Sequence, residues 1–135
     1  MNVLYDMLLT QCEAVAASVS LPFKVPTQIF TPPDDGKWLE FIIIPNGEAK
    51  LGWLDLNADQ GLLRALVYWP PGQGTEAPGT VAGTIATYFA QGTRWHSDPV
   101  GMTVEIYAPP TIGGLVEDGQ SVYFPVSMRY RSFGA

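Results

Sequence analysis

LLRALVYWPPGQGTEAPGTVAGTIATYFAQG, residues Leu62 to Gly92, holds the decision about the fold. Its first eight residues alternate as a strand does, with Leu62, Arg64, Leu66 and Tyr68 on one side and Leu63, Ala65, Val67 and Trp69 on the other. Pro70 and Pro71 stop the strand and the Gly72-Gln73-Gly74 turn follows. A helix then begins near Thr75, a suitable N-cap, with Glu76 favourable against the helix dipole and Pro78 tolerated in the first turn. Gly92 is placed as its C-terminal cap. Val81, Ile85, Tyr88 and Phe89, with Ala82 beside them, make a stripe that fits burial on a sheet. The other side of the helix is Gly79, Thr80, Gly83, Thr84 and Thr87. Glycine and threonine are poor helix formers, and no charged pair compensates between Glu76 and Arg94. A face of this kind is best explained by something packed on it, and a second copy of the chain is the natural candidate. The competing reading is a neutral surface helix in a monomer.

Outward from this stretch, the rest of the chain supplies partners for the strand and the helix. Leu4, Leu8, Cys12, Val15 and Val19 recur at helical spacing, which predicts a helix from Asn2, its cap, to Val19, ended by Pro22 and Pro26. Leu21 to Gly36 is extended and proline-rich and closes on the turn Pro32-Pro33-Asp34-Asp35-Gly36. Trp38 to Ile44 is an apolar strand, and Pro45-Asn46-Gly47 reads as its turn. Leu51 to Leu56 is either the returning arm of a hairpin or part of a long loop reaching Gly61. After the second helix comes a polar connection with Trp95, His96 and Pro99. Met102 to Tyr107 alternates as a half-buried strand. The last strand runs from about Gln120 to Arg131, with Val122, Phe124, Val126, Met128 and Tyr130 inward and Tyr123, Ser127, Arg129 and Arg131 outward. Pro125 on the outward phase suggests an edge or a bulge. The expected fold is α+β: a mainly antiparallel sheet of four or five strands with two helices packed on one face, in the order α-β-β-α-β-β, as a single domain over residues 1–135.

Thirteen acidic and seven basic residues give a net charge of −6. The basic residues are spread along the chain and form no cluster in sequence, which argues against gripping nucleic acid. An acidic surface does suit a conduit along which DNA slides, because like charge repels it. Charged residues are only 15% of the chain, well under the ~25% usual for soluble domains, as expected when partners cover part of the surface. One cysteine, Cys12, excludes an intrachain disulfide. The first residues have no basic leader, and no apolar run approaches the ~18–20 residues of a membrane span, so a soluble protein made in a cytosol is expected.

The inventory for catalysis is thin. His96 is the sole histidine and has no visible partner, and Cys12 sits on a helix stripe that calls for burial. Two Cys and His residues in total are too few for a zinc site. Asp34 with Asp35, Asp55 with Asp59, and Glu117 with Asp118 read as solvated loop carboxylates, short of the ligand set of a calcium loop. Pro71 to Thr75 lacks the Gly-Lys-Ser/Thr ending of a phosphate loop. No cofactor, no metal and no enzymatic activity are expected. Trp53, inside the apolar LGWLDL segment, is the tryptophan best placed either to anchor an interface or to fold back onto the sheet.

Four segments carry a resemblance: TPPDDGKW (Thr31 to Trp38) with the strand ending Ile44-Pro45, GLLRALVYWPPGQGTEAP (Gly61 to Pro78), IATYFAQGTRW (Ile85 to Trp95), and YFPVSMRYRS (Tyr123 to Ser132). In this order and spacing the chain resembles the siphophage tail terminator family, small proteins similar to the lambda tail terminator. Residues 46 to 60 do not match the pattern. The resemblance implies a noncatalytic subunit of a ring, commonly a hexamer, at the head-proximal end of the virion tail. Such a ring, assembled in the host cytoplasm, caps the tail tube, ends its elongation and offers a surface to a head-completion or connector protein. DNA passes through its lumen without sequence-specific contact, and no membrane is involved.

On this reading, subunit contacts are expected on Gly79, Thr80, Gly83, Thr84 and Thr87 and on Tyr123 and Arg129 of the last strand. Leu51, Trp53 and Leu54 are candidates for contact with the tube or a neighbouring subunit. Asp34, Asp35, Glu117 and Asp118 are candidates for an acidic lumen. The alternatives are another neck or connector ring, or a monomeric module that binds a small ligand or peptide.

Overall fold

The alternation read in residues 62–69 lies at the middle of a sheet. The computed structural model describes residues 3–25, 30–51, 56–97, 101–119 and 121–134. Helix α1 (Val3–Val19) is followed by strands β1 (Phe23–Lys24), β2 (Trp38–Leu51) and β3 (Leu56–Trp69). Helix α2 (Glu76–Tyr88) comes next, then β4 (Arg94–Ser97), β5 (Met102–Ile106), β6 (Thr111–Ile112), β7 (Val116–Asp118) and β8 (Ser121–Gly134). The sheet order is β1-β2-β3-β8-β5-β4, with β6 and β7 also paired to β8. β1 runs parallel to β2 and the other pairs are antiparallel.

This corrects the expected fold. The sheet is mixed and has eight strands, rather than four or five mainly antiparallel ones, and the order α-β-β-α-β-β does not hold. The missed strands are two to four residues long, too short for a period-two pattern to show. β4 lies in the stretch read as a polar connection. The expected turn at Pro45-Asn46-Gly47 is also absent: β2 runs on through it, and a register shift between Pro45 and Glu48 absorbs the irregularity. β2 and β3 therefore form one hairpin that stays paired to Leu51 and Leu56. Leu51 belongs to β2 and Leu56 to β3, paired as the last rung of the ribbon, and residues 52–55 between them lie outside the described residues. Beyond Asp59, β3 has no partner in β8, so the far end of the ribbon is two-stranded.

Directly opposed residues share a face, and the register sorts the sheet cleanly. Leu39 and Phe41 of β2, Leu63, Ala65 and Val67 of β3, and Val126, Met128 and Tyr130 of β8 are buried together with Val104 and Ile106 of β5. Onto this inner face pack Leu8, Cys12 and Val15 of α1 and Ala82, Ile85 and Phe89, the last just beyond α2. Tyr88 Oη donates to Gln11 Oε1 at 2.7 Å and ties the helices to each other. At Gly61 the β3 backbone passes under the Tyr130 ring: an added Cβ would lie 2.6 Å from the Tyr130 hydroxyl oxygen and 2.5 Å from the Ile44 carbonyl oxygen. Only glycine fits there.

The helix ends have definite causes. α1 stops at Ser20, whose left-handed φ of 59° lets Ser20 N donate to Ala17 O and Leu21 N to Ala16 O, both at 3.2 Å, the paired bonds of a Schellman stop. Asn2 and Pro26, expected at its limits, lie outside the described residues. Thr75 is the N-cap of α2 without a side-chain capping bond. Gly92 is not its C-cap. The helix ends at Tyr88, and Gly92 instead donates its N–H to Ile106 O at 2.8 Å. Pro125 belongs to neither an edge strand nor a bulge. It sits in the central strand β8 opposite Leu66, where the other side of β8 passes from β7 to β6 with no residue paired to it. Its missing N–H faces that gap, and its carbonyl accepts from Gly113 N at 2.8 Å.

Candidate functional site

The face of the sheet turned away from the helices carries Arg, Trp, Tyr and branched aliphatic residues together with Glu40, Glu105, Thr103 and His96. At one end Trp38, Tyr68 and Tyr123 stand in one cross-strand row. Trp38 and Tyr68 stack at 4.0 Å and 4° between planes, and Tyr68 lies 5.2 Å from Tyr123. Phe30 extends the row to Trp38 at 5.1 Å. The Tyr68 hydroxyl reaches Glu40 Oε1 at 3.4 Å, and Lys24 Nζ is 3.9 Å from Glu40. Leu66 is buried at the centre of this face, while Ile44 is 42% exposed towards the ribbon.

The sheet also gathers what the sequence scatters. Arg64, Arg94, Arg129 and Arg131 are the only arginines of the chain, and strand parity and register put all four on this outer face. Arg94, Glu105 and Arg131 are opposed across β4, β5 and β8. Arg131 Nε donates to Glu105 Oε1 at 2.8 Å and Arg94 Nε to Oε2 at 3.0 Å. The hydrogen bond from Arg131, helped by that from Arg94 and by both positive charges, holds the Glu105 carboxyl below its ordinary range against the opposing effect of burial. The Arg131 guanidinium also lies over the Tyr107 ring at 5.4 Å. Among the described residues neither Arg64 nor Arg129 has a carboxylate partner. Arg64 Nε is buried with no hydrogen-bond acceptor among them.

The second surface is the solvent side of α2. Thr80, Thr84 and Thr87 are exposed, and Gly79 and Gly83 are half-buried with open space where a Cβ would stand. Thr80, Gly83, Thr84, Thr87 and Tyr88 line an open groove of about 520 Å³. Thr80 Oγ1 donates to Glu76 O at 2.9 Å and Thr84 Oγ1 to Thr80 O at 3.1 Å. These hydroxyls are satisfied within their own helix, so covering the face strands few donors.

The expected contact residues thus divide between two sides of the domain, with the α2 set over the helix layer and Tyr123 and Arg129 on the bare sheet. Asp34 and Asp35 are exposed in the turn that leads into β2, where Asp35 Oδ1 accepts from Lys37 N at 3.0 Å. Glu117 is exposed on β7 and in register with Val122, which pairs with Trp69. The backbone of Asp118 is in β7. Topology therefore brings both acidic pairs to one end of the sheet, opposite the β2–β3 ribbon. Leu51 closes that ribbon. Trp53 and Leu54 lie outside the described residues, as does Asp55. Cys12 and His96 are on opposite sides of the sheet. Burial, and then the charge of Glu13, pushes the Cys12 thiol up to about 12, which leaves it a core residue. His96 Nδ1 contacts Thr103 Oγ1 at 2.9 Å on the outer face. The aromatic row and the Arg94–Glu105–Arg131 set went unnoticed in the sequence. Shared parity of Tyr123, Arg129 and Arg131 was the available signal, but the row needed the β2–β3–β8 register and the arginine set needed β4.

A model of the family described as Phage tail terminator protein matches residues 4–130. No curated protein matches the chain. One solved structure superposes with a TM-score of 0.73 over 91% of this chain and 87% of its own length, at 21% identity, a likeness that shows the fold alone. The chain belongs to the phage tail terminator family and has a structural role in the bacteriophage tail.

Proposed function

We propose that this tail terminator protein forms a ring, a hexamer, that caps the tail tube, ends its elongation and presents the surface to which the head is joined. The observation that carries the reading is a domain left uncovered on two opposite sides, one an apolar and arginine-rich sheet face and the other a small-residue helix face. A closed ring needs this arrangement, since each subunit uses one patch towards the preceding neighbour and a different one towards the next. Arg, Trp and Tyr on the bare face are the residue types enriched at the cores of protein interfaces.

The acidic turns with Asp34, Asp35, Glu117 and Asp118 face the lumen, where negative charge lets DNA pass without adhering. The β2–β3 ribbon, with Leu51 in its last rung, reaches the tube or the neighbouring subunit, and Trp53 and Leu54, which lie between its strands in sequence, share in that contact. Its two-stranded end supports this role, because an isolated pair of strands is marginally stable in water and gains order on docking. The partners are other copies of the chain, the tube protein and a head-completion or connector protein, at the head-proximal end of the tail. Native mass spectrometry and negative-stain imaging of the purified chain, alone and with tube protein, test the proposal. Rings that sit on tube ends are expected. A chain that stays monomeric at high concentration in both conditions overturns it.

A further inference from the structure

Charge is divided between the two layers of this domain. Neither helix contains a lysine or an arginine, and their charged residues are Asp6, Glu13 and Glu76, all exposed. Every arginine projects from the opposite, bare face of the sheet. The carboxylates described on that face, Glu40 and Glu105, are already engaged by Lys24 and by the two arginines. Arg64 and Arg129 are left over, and the buried Arg64 Nε has no acceptor among the described residues.

From this we infer that the outer sheet face of one copy docks against the acidic helix layer of the next, with the Gly79/Gly83/Thr84 side of α2 seated on the sheet. The inference rests on the ring reading and specifies its contact. Each of three features of the surfaces fits this occupant. Opposite charge on the two layers favours head-to-tail docking over sheet-on-sheet or helix-on-helix pairing, in which like charges meet. Bare glycines on α2 allow a close approach. Threonine hydroxyls that bond their own helix let that face be covered with little desolvation loss. The contact repeats the internal architecture of the subunit, since a sheet with helices on one face gains a helix layer on the other.

Two variants of the full chain test it. Arg129→Glu spoils the sheet face, and Gly83→Arg, placed where an added Cβ meets nothing, spoils the helix face. Each alone is expected to keep its melting temperature and to associate roughly tenfold or more weakly in sedimentation velocity. An equal mixture still holds one intact face of each kind. In native mass spectrometry at high concentration it is expected to give a heterodimer that grows no further. If Gly83→Arg melts early, Gly79→Arg, at an equally open site, replaces it. Homodimers of either variant through its remaining face would overturn the contact while leaving the ring intact as a reading, as would full rings from either variant. Wild-type chain that forms no ring under any condition instead removes the premise.

Discussion

The two faces of this sheet come from the same strands, residue by residue, and differ in almost every other respect. On the inner face the side chains are mostly aliphatic, bury fully and meet the helices. On the outer face they are arginine, tryptophan, tyrosine, a few aliphatics and polar residues such as Glu40 and Glu105, and among the described residues no helix layer covers them. The inner face makes the domain stable by itself. The outer face contributes less to the lone subunit and is the one we propose to meet a neighbouring copy. A substitution should therefore read out in different measurements according to which face it changes.

The sharpest way to break that division is on the inner face. Phe41→Ala, at a fully buried site between β2 and the helices, is expected to cost about 3–5 kcal/mol in chemical denaturation. A loss below about 1 kcal/mol would mean that the core is not where the register puts it. Gly61→Ala comes next, at about 2–3 kcal/mol, because its Cβ meets a backbone carbonyl that cannot swing away. An unchanged midpoint would remove the close passage of Tyr130 over β3.

Glu105→Gln tests a buried charge on the outer side. Because Arg94 and Arg131 keep much of their side chains in water, the loss is discounted to about 1–2 kcal/mol at neutral pH. The sign of its pH dependence follows from the lowered carboxyl. Stabilisation by Glu105 is fully present above the unfolded-state value of about 4.3 and disappears as pH falls through the lower folded-state value. Denaturation of wild type and Glu105→Gln between pH 3 and pH 7 should show a gap that closes on the acid side. A gap that is constant across this range would exclude the pair as its cause.

Smaller effects sharpen the comparison. Tyr68→Ala, in the middle of the aromatic row, is expected to cost the monomer about 1 kcal/mol while reducing ring formation much more. Equal losses in both measurements would make the row a structural element and nothing else. Gly83→Ala should stabilise the lone chain by about 0.5–1 kcal/mol, since the site is helical and open, and should weaken assembly. Improved assembly would argue that nothing approaches this side of α2 closely.

The inner face was legible in the sequence and the outer face was not, for physical reasons. Alternation in residues 62–69 and 122–130 reports burial on one side of a strand, and the spacing of Leu8, Cys12 and Val15 does the same for a helix. Burial leaves a periodic trace. Pairing between distant strands leaves none, so the convergence of Arg64, Arg94, Arg129 and Arg131 appears only once the register is known. β1, β4, β6 and β7 are individually too short to imprint a pattern. Pro45-Asn46-Gly47 has the chemistry of a turn, but the strand pairs on either side of it and the irregularity is taken up within the hairpin. The glycine and threonine residues of α2 were legible as a face without a core role. The surface proposed to meet them lies beyond any single-chain pattern.

The place of β8 in the sheet has a kinetic consequence. Residues 121–134 are the hinge pin on which four other strands hang, and the two halves of the sheet touch through nothing else in the strand order. A nascent chain cannot join those halves until this stretch has left the ribosome. Its contacts with β3 run from Trp69 with Val122 to Asp59 with Ser132, all of them distant in sequence, so closure waits on a distant encounter and folding is slow relative to a helical bundle of the same size. Copies that lack this stretch consequently have no finished face of either kind, and in the proposed ring only a subunit that has closed its sheet could be added.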